Sequence, residues 1–171
     1  GEDNDCDGAI DDGTDAYDND GDCYCVAEPC TGSISKGCSS LLGGDCDDGD
    51  IDVHPDAVDI PDLDYIDHDC DGLDGLKSDG VFLDPVSGND TSSGGSSSSP
   101  VKTLDEALSK AKSAGRNWIY IASGDLSLTG SLEEGVNLAG GYDASASWSR
   151  KSSIVPTLYT TSAGVTVSGW S

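Results

Sequence analysis

Asp3-Asn4-Asp5-Cys6-Asp7-Gly8 returns 64 residues later as Asp67-His68-Asp69-Cys70-Asp71-Gly72. Self-similarity of this kind marks two copies of one structural unit, or one unit opening and closing a module. Aspartates at alternate positions followed by Gly form the core of a loop that wraps a hard cation. Carboxylates at its first, third and fifth places converge on one ion, Gly at the sixth permits a sharp turn, and a backbone carbonyl follows. In the first copy Asp3, Asp5 and Asp7 fill those places, Ala9 offers its carbonyl and Asp11 falls at the ninth. Thr14 stands where a bidentate acid belongs, so Asp12 or Asp15 is expected to substitute. In the second copy Asp67, Asp69 and Asp71 are followed by Asp74.

Two further clusters lie between the copies. Asp18, Asp20 and Asp22 surround Gly21, and Asp45, Asp47, Asp48, Asp50 and Asp52 place five carboxylates in eight residues. Asp59 is positioned to lend a ligand to a neighbour. About three or four Ca²⁺ are expected, in loops centred on Asp5, Asp20, Asp47 and Asp69.

Charge distribution points the same way. The net charge is −25, and residues 1–75 hold 24 of the 33 acids against one base, Lys36. Such a segment repels itself in water unless cations neutralise it. Nucleic acid and anionic membranes, which need basic patches, are poor partners for it. All but Glu2 and Glu28 of those acids are Asp, the shorter side chain that turns back onto an ion near its own backbone. A merely solvating tail would not place Cys6, Cys46 and Cys70 inside the loops.

Six of the seven Cys, namely Cys6, Cys23, Cys25, Cys30, Cys38 and Cys46, precede residue 47, and Cys70 is the seventh. This density suits an oxidising, extracellular compartment. Disulfides are expected, with Cys38–Cys46 and a link within Cys23, Cys25 and Cys30 as first assignments. Zinc held by Cys23, Cys25, Cys30 and Cys38 is the competing use, at spacings unlike the usual knuckles. There is no Met and no apolar run long enough to span a membrane, so we expect a processed or excerpted chain with its export signal removed.

The segments Asp3–Gly8, Gly44–Asp48, His54–Ala57 and Asp67–Gly72 together resemble the MopE-type metal-binding-motif repeats of secreted bacterial proteins. The region is also similar to thrombospondin type-3 calcium loops. The resemblance covers about residues 2–75. It departs from the pattern at Asp56, at Asp59, and at Ile60-Pro61, where a Cys is absent; the partner of Cys70 stays open. The resemblance also implies copper as an alternative ion, with His54 and His68 as the available imidazoles.

The remainder reads differently. Thr103 and Glu106 form a capping box, Leu104, Ala107, Leu108 and Ala111 recur at helical spacing, and Gly115 suits a left-handed cap. This predicts a helix over about 103–114. Strand-like pieces are Val81–Leu83, Trp118–Ala122, Leu126–Leu128, Val136–Ala139, Ile154–Leu158 and Val165–Val167. Residues 91–99 are Ser/Gly-rich and flexible by composition, a surface loop. Val81–Asp90, Pro100–Ala111, Trp118–Gly124 and Gly135–Asp143 in series resemble the opening of pectin-lyase-like right-handed parallel β-helices, in which a helix covers the first coil. A small β-sandwich with one helix is the plainer alternative.

The expected architecture is therefore mainly β: a Ca-binding, disulfide-stapled loop module over 1–76, and a short right-handed parallel β-helix with one capping helix over 77–171. The expected function is that of a non-catalytic, extracellular structural or adhesive protein. Head-to-tail contact would assemble it into a homo-oligomer or filament, with surface glycans as candidate partners. The alternatives are a Ca-dependent polysaccharide lyase or hydrolase, for which Asp125, Asp143, Arg116, Arg150 and Lys151 are the available groups, and a copper- or other metal-binding secreted protein. Asn89, in Asn-Asp-Thr, is a glycosylation candidate.

Overall fold

The computed structural model describes residues 13–128, 135–151, 153 and 157–160. The expectations placed on Asp3, Asp5, Cys6, Asp7, Ala9, Asp11, Asp12 and Val165–Val167 lie outside these residues. Among those described, the fold is mainly strands with one helix, divided into two compact units. One unit comprises 13–60 and 66–71; the other comprises 61–65 and the residues from 72 onward.

The first unit has little regular structure. Strands β1 (Tyr17–Asp18) and β3 (Gly32–Ser33) pair in parallel, as do β2 (Tyr24–Cys25) and β4 (Leu42–Gly43). Its buried apolar residues are Cys25 and Val53, while Ile34, Ile51 and Val58 are exposed. So small a core cannot hold a chain by burial. Three disulfides do part of that work: Cys23–Cys38, Cys25–Cys30 and Cys46–Cys70. The pairing corrects the expected Cys38–Cys46 link. Spacing leaves connectivity open, and here the parallel strand pairs carry Cys23 toward Cys38 and leave Cys46 to the second acidic repeat. The expected link within the first three cysteines is Cys25–Cys30.

In the second unit, β5 (Gly80–Leu83), β6 (Trp118–Ala122) and β8 (Asn137–Asp143) form a parallel ladder, to which β9 (Ser149–Arg150) adds antiparallel. A second parallel pair joins β7 (Asp125–Leu128) to β10 (Thr157–Thr160). Helix α1 (Leu104–Ala114) begins at Thr103, whose hydroxyl accepts from the Glu106 amide, and ends at Gly115 with φ 65°. Alternation along the strands splits the core in two. Val81, Leu83, Ile119 and Ile121 pack with the helix face of Leu104, Ala107, Leu108 and Ala111. Phe82, Tyr120, Ala139, Tyr142 and Trp148 form the other cluster with Leu73.

The Ser/Gly-rich loop departs from its composition. The Phe82 amide donates to the Gly94 carbonyl, the Val101 amide to the Phe82 carbonyl and the Asp84 amide to the Val101 carbonyl, so the far side of β5 is paired. Trp148 Nε1 donates to the Ser97 carbonyl at 3.1 Å. Small residues allow this loop to lie flat against the strand; a Cβ at Gly94 would already meet Val81 Cγ1 at 2.9 Å.

Candidate metal centre

Asp18 and Ser33, which end β1 and β3, begin the site. Asp18 is fully buried. Its Oδ1 accepts from the Gly21 amide at 2.7 Å, and its Oδ2 from the Cys23 amide at 3.0 Å and Ser33 Oγ at 2.5 Å. With three donors on two oxygens, Asp18 shapes the turn through Gly21, whose φ of 95° favours glycine.

The next carboxylates are arranged otherwise. Asp20 Oδ1 accepts from the Asp22 amide, Asp22 Oδ1 from the Tyr24 amide and Asp45 Oδ1 from the Asp47 amide. In each case the second oxygen, Oδ2, is buried and has no hydrogen-bond partner. Asp45 itself is only 2% exposed. Buried carboxylate oxygens without donors are costly and rare.

The carboxylates gather in two sets that share Asp20. Ligand atoms of Asp18, Asp20 and Asp22 lie within 4.8 Å of one another, as do those of Asp20, Asp45 and Asp48. Asp20 belongs to both sets, so the centre joins two loops 25 residues apart in sequence. Burial first, with Asp22, Asp45 and Asp18 adding like charge, pushes the Asp20 carboxyl up to about 6. Burial also raises Asp22 and Asp45, with neighbouring aspartates adding to it. Crowded, partly buried acids of this kind mark a candidate cation site.

A second cluster brings Asp59, Asp67 and Asp69 within 4.8 Å. Burial, followed by Asp71, raises Asp69 to about 6. His68 Nδ1 lies 3.6 Å from Asp59 Oδ1. The Asp71 amide donates to Asp67 Oδ1 and Asp69 Oδ1, closing the loop of the second repeat. These clusters could hold metal ions. Cys23 and Cys38 also lie near Asp18, but their sulfurs are bonded to each other, and the four cysteines weighed for zinc are all in disulfides.

Other expected ligands are placed elsewhere. Asp47, Asp50, Asp52 and Asp71 are exposed and outside the described clusters. Asp74 is buried in the second unit, its Oδ2 2.8 Å from Arg150 Nη1. His54 stacks on Tyr24 with ring centroids 5.0 Å apart, and its Nδ1 lies 2.8 Å from the Pro55 carbonyl. Neither His54 nor His68 joins a described cluster.

Of the groups weighed for catalysis, Arg116 bonds the Gly80 and Gly95 carbonyls. Arg150 bonds Asp74 and the Gly140 carbonyl and lies over the rings of Tyr65 and Tyr142. Asp143 accepts from the Ser145 amide and hydroxyl, Asp125 lies in β7 and Lys151 follows β9. Asn89 is exposed, its Oδ1 accepting from the Thr91 amide and hydroxyl.

Two residues escaped the sequence reading. Ser33 holds Asp18, and Asn19 holds Asp48. The Asn19 amide donates to Asp48 Oδ1 at 2.9 Å, and Asn19 Nδ2 donates to Asp48 Oδ2. The signal was a lone Asn within an Asp loop, but its partner is 29 residues away.

Among the described residues no helix is long and apolar enough to cross a membrane. No family model, curated protein or solved structure matches the chain.

Proposed function

We propose that the first unit is a structural Ca²⁺ module of a secreted protein, and that the ion completes its fold. The observation that carries this reading is the set of buried oxygens on Asp20, Asp22 and Asp45 that no protein donor satisfies. An all-carboxylate oxygen set suits a hard cation; six to eight oxygens at about 2.3–2.6 Å is the usual Ca²⁺ shell, completed by carbonyls and water. Three disulfides fit an oxidising compartment. The parallel ladder with α1 beside its first strand supports reading the second unit as a short right-handed parallel β-helix. The whole then serves as a non-catalytic structural or adhesive protein of the cell exterior, self-associating head to tail.

Calorimetric titration of chelator-treated protein with Ca²⁺, together with elemental analysis of protein from its native source, tests the reading. Three or four Ca²⁺ per chain are expected; no bound calcium and no thermal stabilisation by it would overturn the proposal.

A further inference from the structure

The two halves of the first centre come from loops that no covalent bond joins directly. Asp20 and Asp22 belong to one loop; Asp45 and Asp48 belong to the other. The Cys46–Cys70 disulfide leads the second loop toward the acidic repeat, not toward Asp20. The β2–β4 pair, with the Asp45 amide donating to the Cys25 carbonyl at 3.2 Å, joins the bases of the two loops, and a second device reaches Asp48 itself. Asn19, adjacent to Asp20, donates to both oxygens of Asp48 through its backbone amide and its Nδ2. The same side chain is held from behind, with Oδ1 accepting from the Gly13 amide at 2.8 Å and Nδ2 also donating to the Tyr17 carbonyl at 3.1 Å.

We propose that Asn19 is the positioning residue of this centre, clamping Asp48 against Asp20 so that ligands from two loops meet one divalent cation. The inference rests on the reading of the module as a cation site and adds the residue that sets its affinity. An amide is the group this position needs. It supplies a donor to a carboxylate without adding charge, and it offsets the repulsion of Asp48 from Asp20 and Asp45 before any ion arrives. Each Asp48 oxygen that accepts from Asn19 keeps a second lone pair for the ion.

The proposal separates geometry from charge. If affinity followed the number of acids, Asn19→Asp would strengthen binding. If the clamp sets affinity, Asn19→Asp weakens it, because the new carboxylate keeps the Gly13 contact but repels Asp48. Calorimetric Ca²⁺ titration of the full chain, with parallel melting in chelator, decides between these.

The clamp predicts that Asn19→Ala lowers affinity about tenfold and Asn19→Asp by at least as much, the loss of a hydrogen bond to a charged group. Binding that depends on Asp67 and Asp69, identified with Asp67→Asn/Asp69→Asn, stays unchanged in both variants.

Tighter or unaltered binding in Asn19→Asp would overturn the proposal while leaving the calcium reading intact. So would an equal loss at both clusters accompanied by lower melting in chelator, which would make Asn19 merely structural. Wild-type protein that takes up no Ca²⁺ would overturn both.

Discussion

Cys46 is bonded to Cys70, and each follows an aspartate of a different acidic cluster: Asp45 in one, Asp69 in the other. The loop it closes spans 24 residues. In the chain-entropy view a cross-link of this length stabilises by about 3 kcal/mol, by restricting the unfolded chain. We therefore expect Cys46→Ser/Cys70→Ser to lower stability by about that amount in saturating Ca²⁺, followed by thermal melting. Its calcium isotherm should weaken at both clusters, since two ligand loops lose their common anchor.

The pH response should change sign with the ion. The Asp20 and Asp69 carboxyls lie at about 6 in the folded protein against an ordinary 3.8. Between those values the folded chain holds more protons than the unfolded one, so in chelator stability falls as pH rises from about 4 through about 6. Calcium requires the ionised forms, so its stabilising effect grows over the same interval. Melting temperatures at a series of pH values, with Ca²⁺ and with chelator, should meet near pH 4 and diverge as pH rises.

Asp45→Asn offers a separate check. The residue is 2% exposed, and its Oδ2 has no hydrogen-bond partner. Removing the charge relieves an unsatisfied buried group, which costs about 1–3 kcal/mol. The variant should therefore melt higher than wild type in chelator yet bind Ca²⁺ at least tenfold more weakly, a fall of about 1.4 kcal/mol or more in binding. An inert surface acid would move neither quantity.

Gly80→Ala tests the second unit. A Cβ there would stand 1.9 Å from Tyr120 Cε2. The ring cannot swing clear, because Tyr120 is fully buried and its hydroxyl donates to the Leu76 carbonyl at 2.8 Å. Overpacking of this kind destabilises by about 1–3 kcal/mol, read by denaturant unfolding, with calcium stoichiometry unchanged.

Legibility tracked the length over which a pattern repeats. The helix was plain because Thr103, the Leu104/Ala107/Leu108/Ala111 face and Gly115 each contribute a local signal, and α1 spans Leu104–Ala114. The apolar run Trp118–Ala122 became β6 with those same ends. Strand β8 runs on to Asp143, past the expected Ala139, because a register shift against β6 between Tyr120 and Ala122 carries the pairing through Gly140 and Gly141. The two-residue strands of the first unit are too short for any period to show. Its clusters were visible as aspartates, but their partition was not. Asp18 holds its own turn as well as lying in the first cluster, Asp74 faces an arginine, and Asn19 acts on a residue in another loop. Connectivity of this kind is set by tertiary neighbours, which spacing along the chain does not encode.

The pairing of β5 on both sides has a consequence for association. Phe82 gives its amide to Gly94 and its carbonyl to Val101, and Asp84 gives its amide to Val101. A strand from another molecule meets at these positions no unspent donor or acceptor, which is how natural sheets resist accretion. The ladder thus has a sealed starting rung: strand-on-strand templating is blocked at these positions of β5.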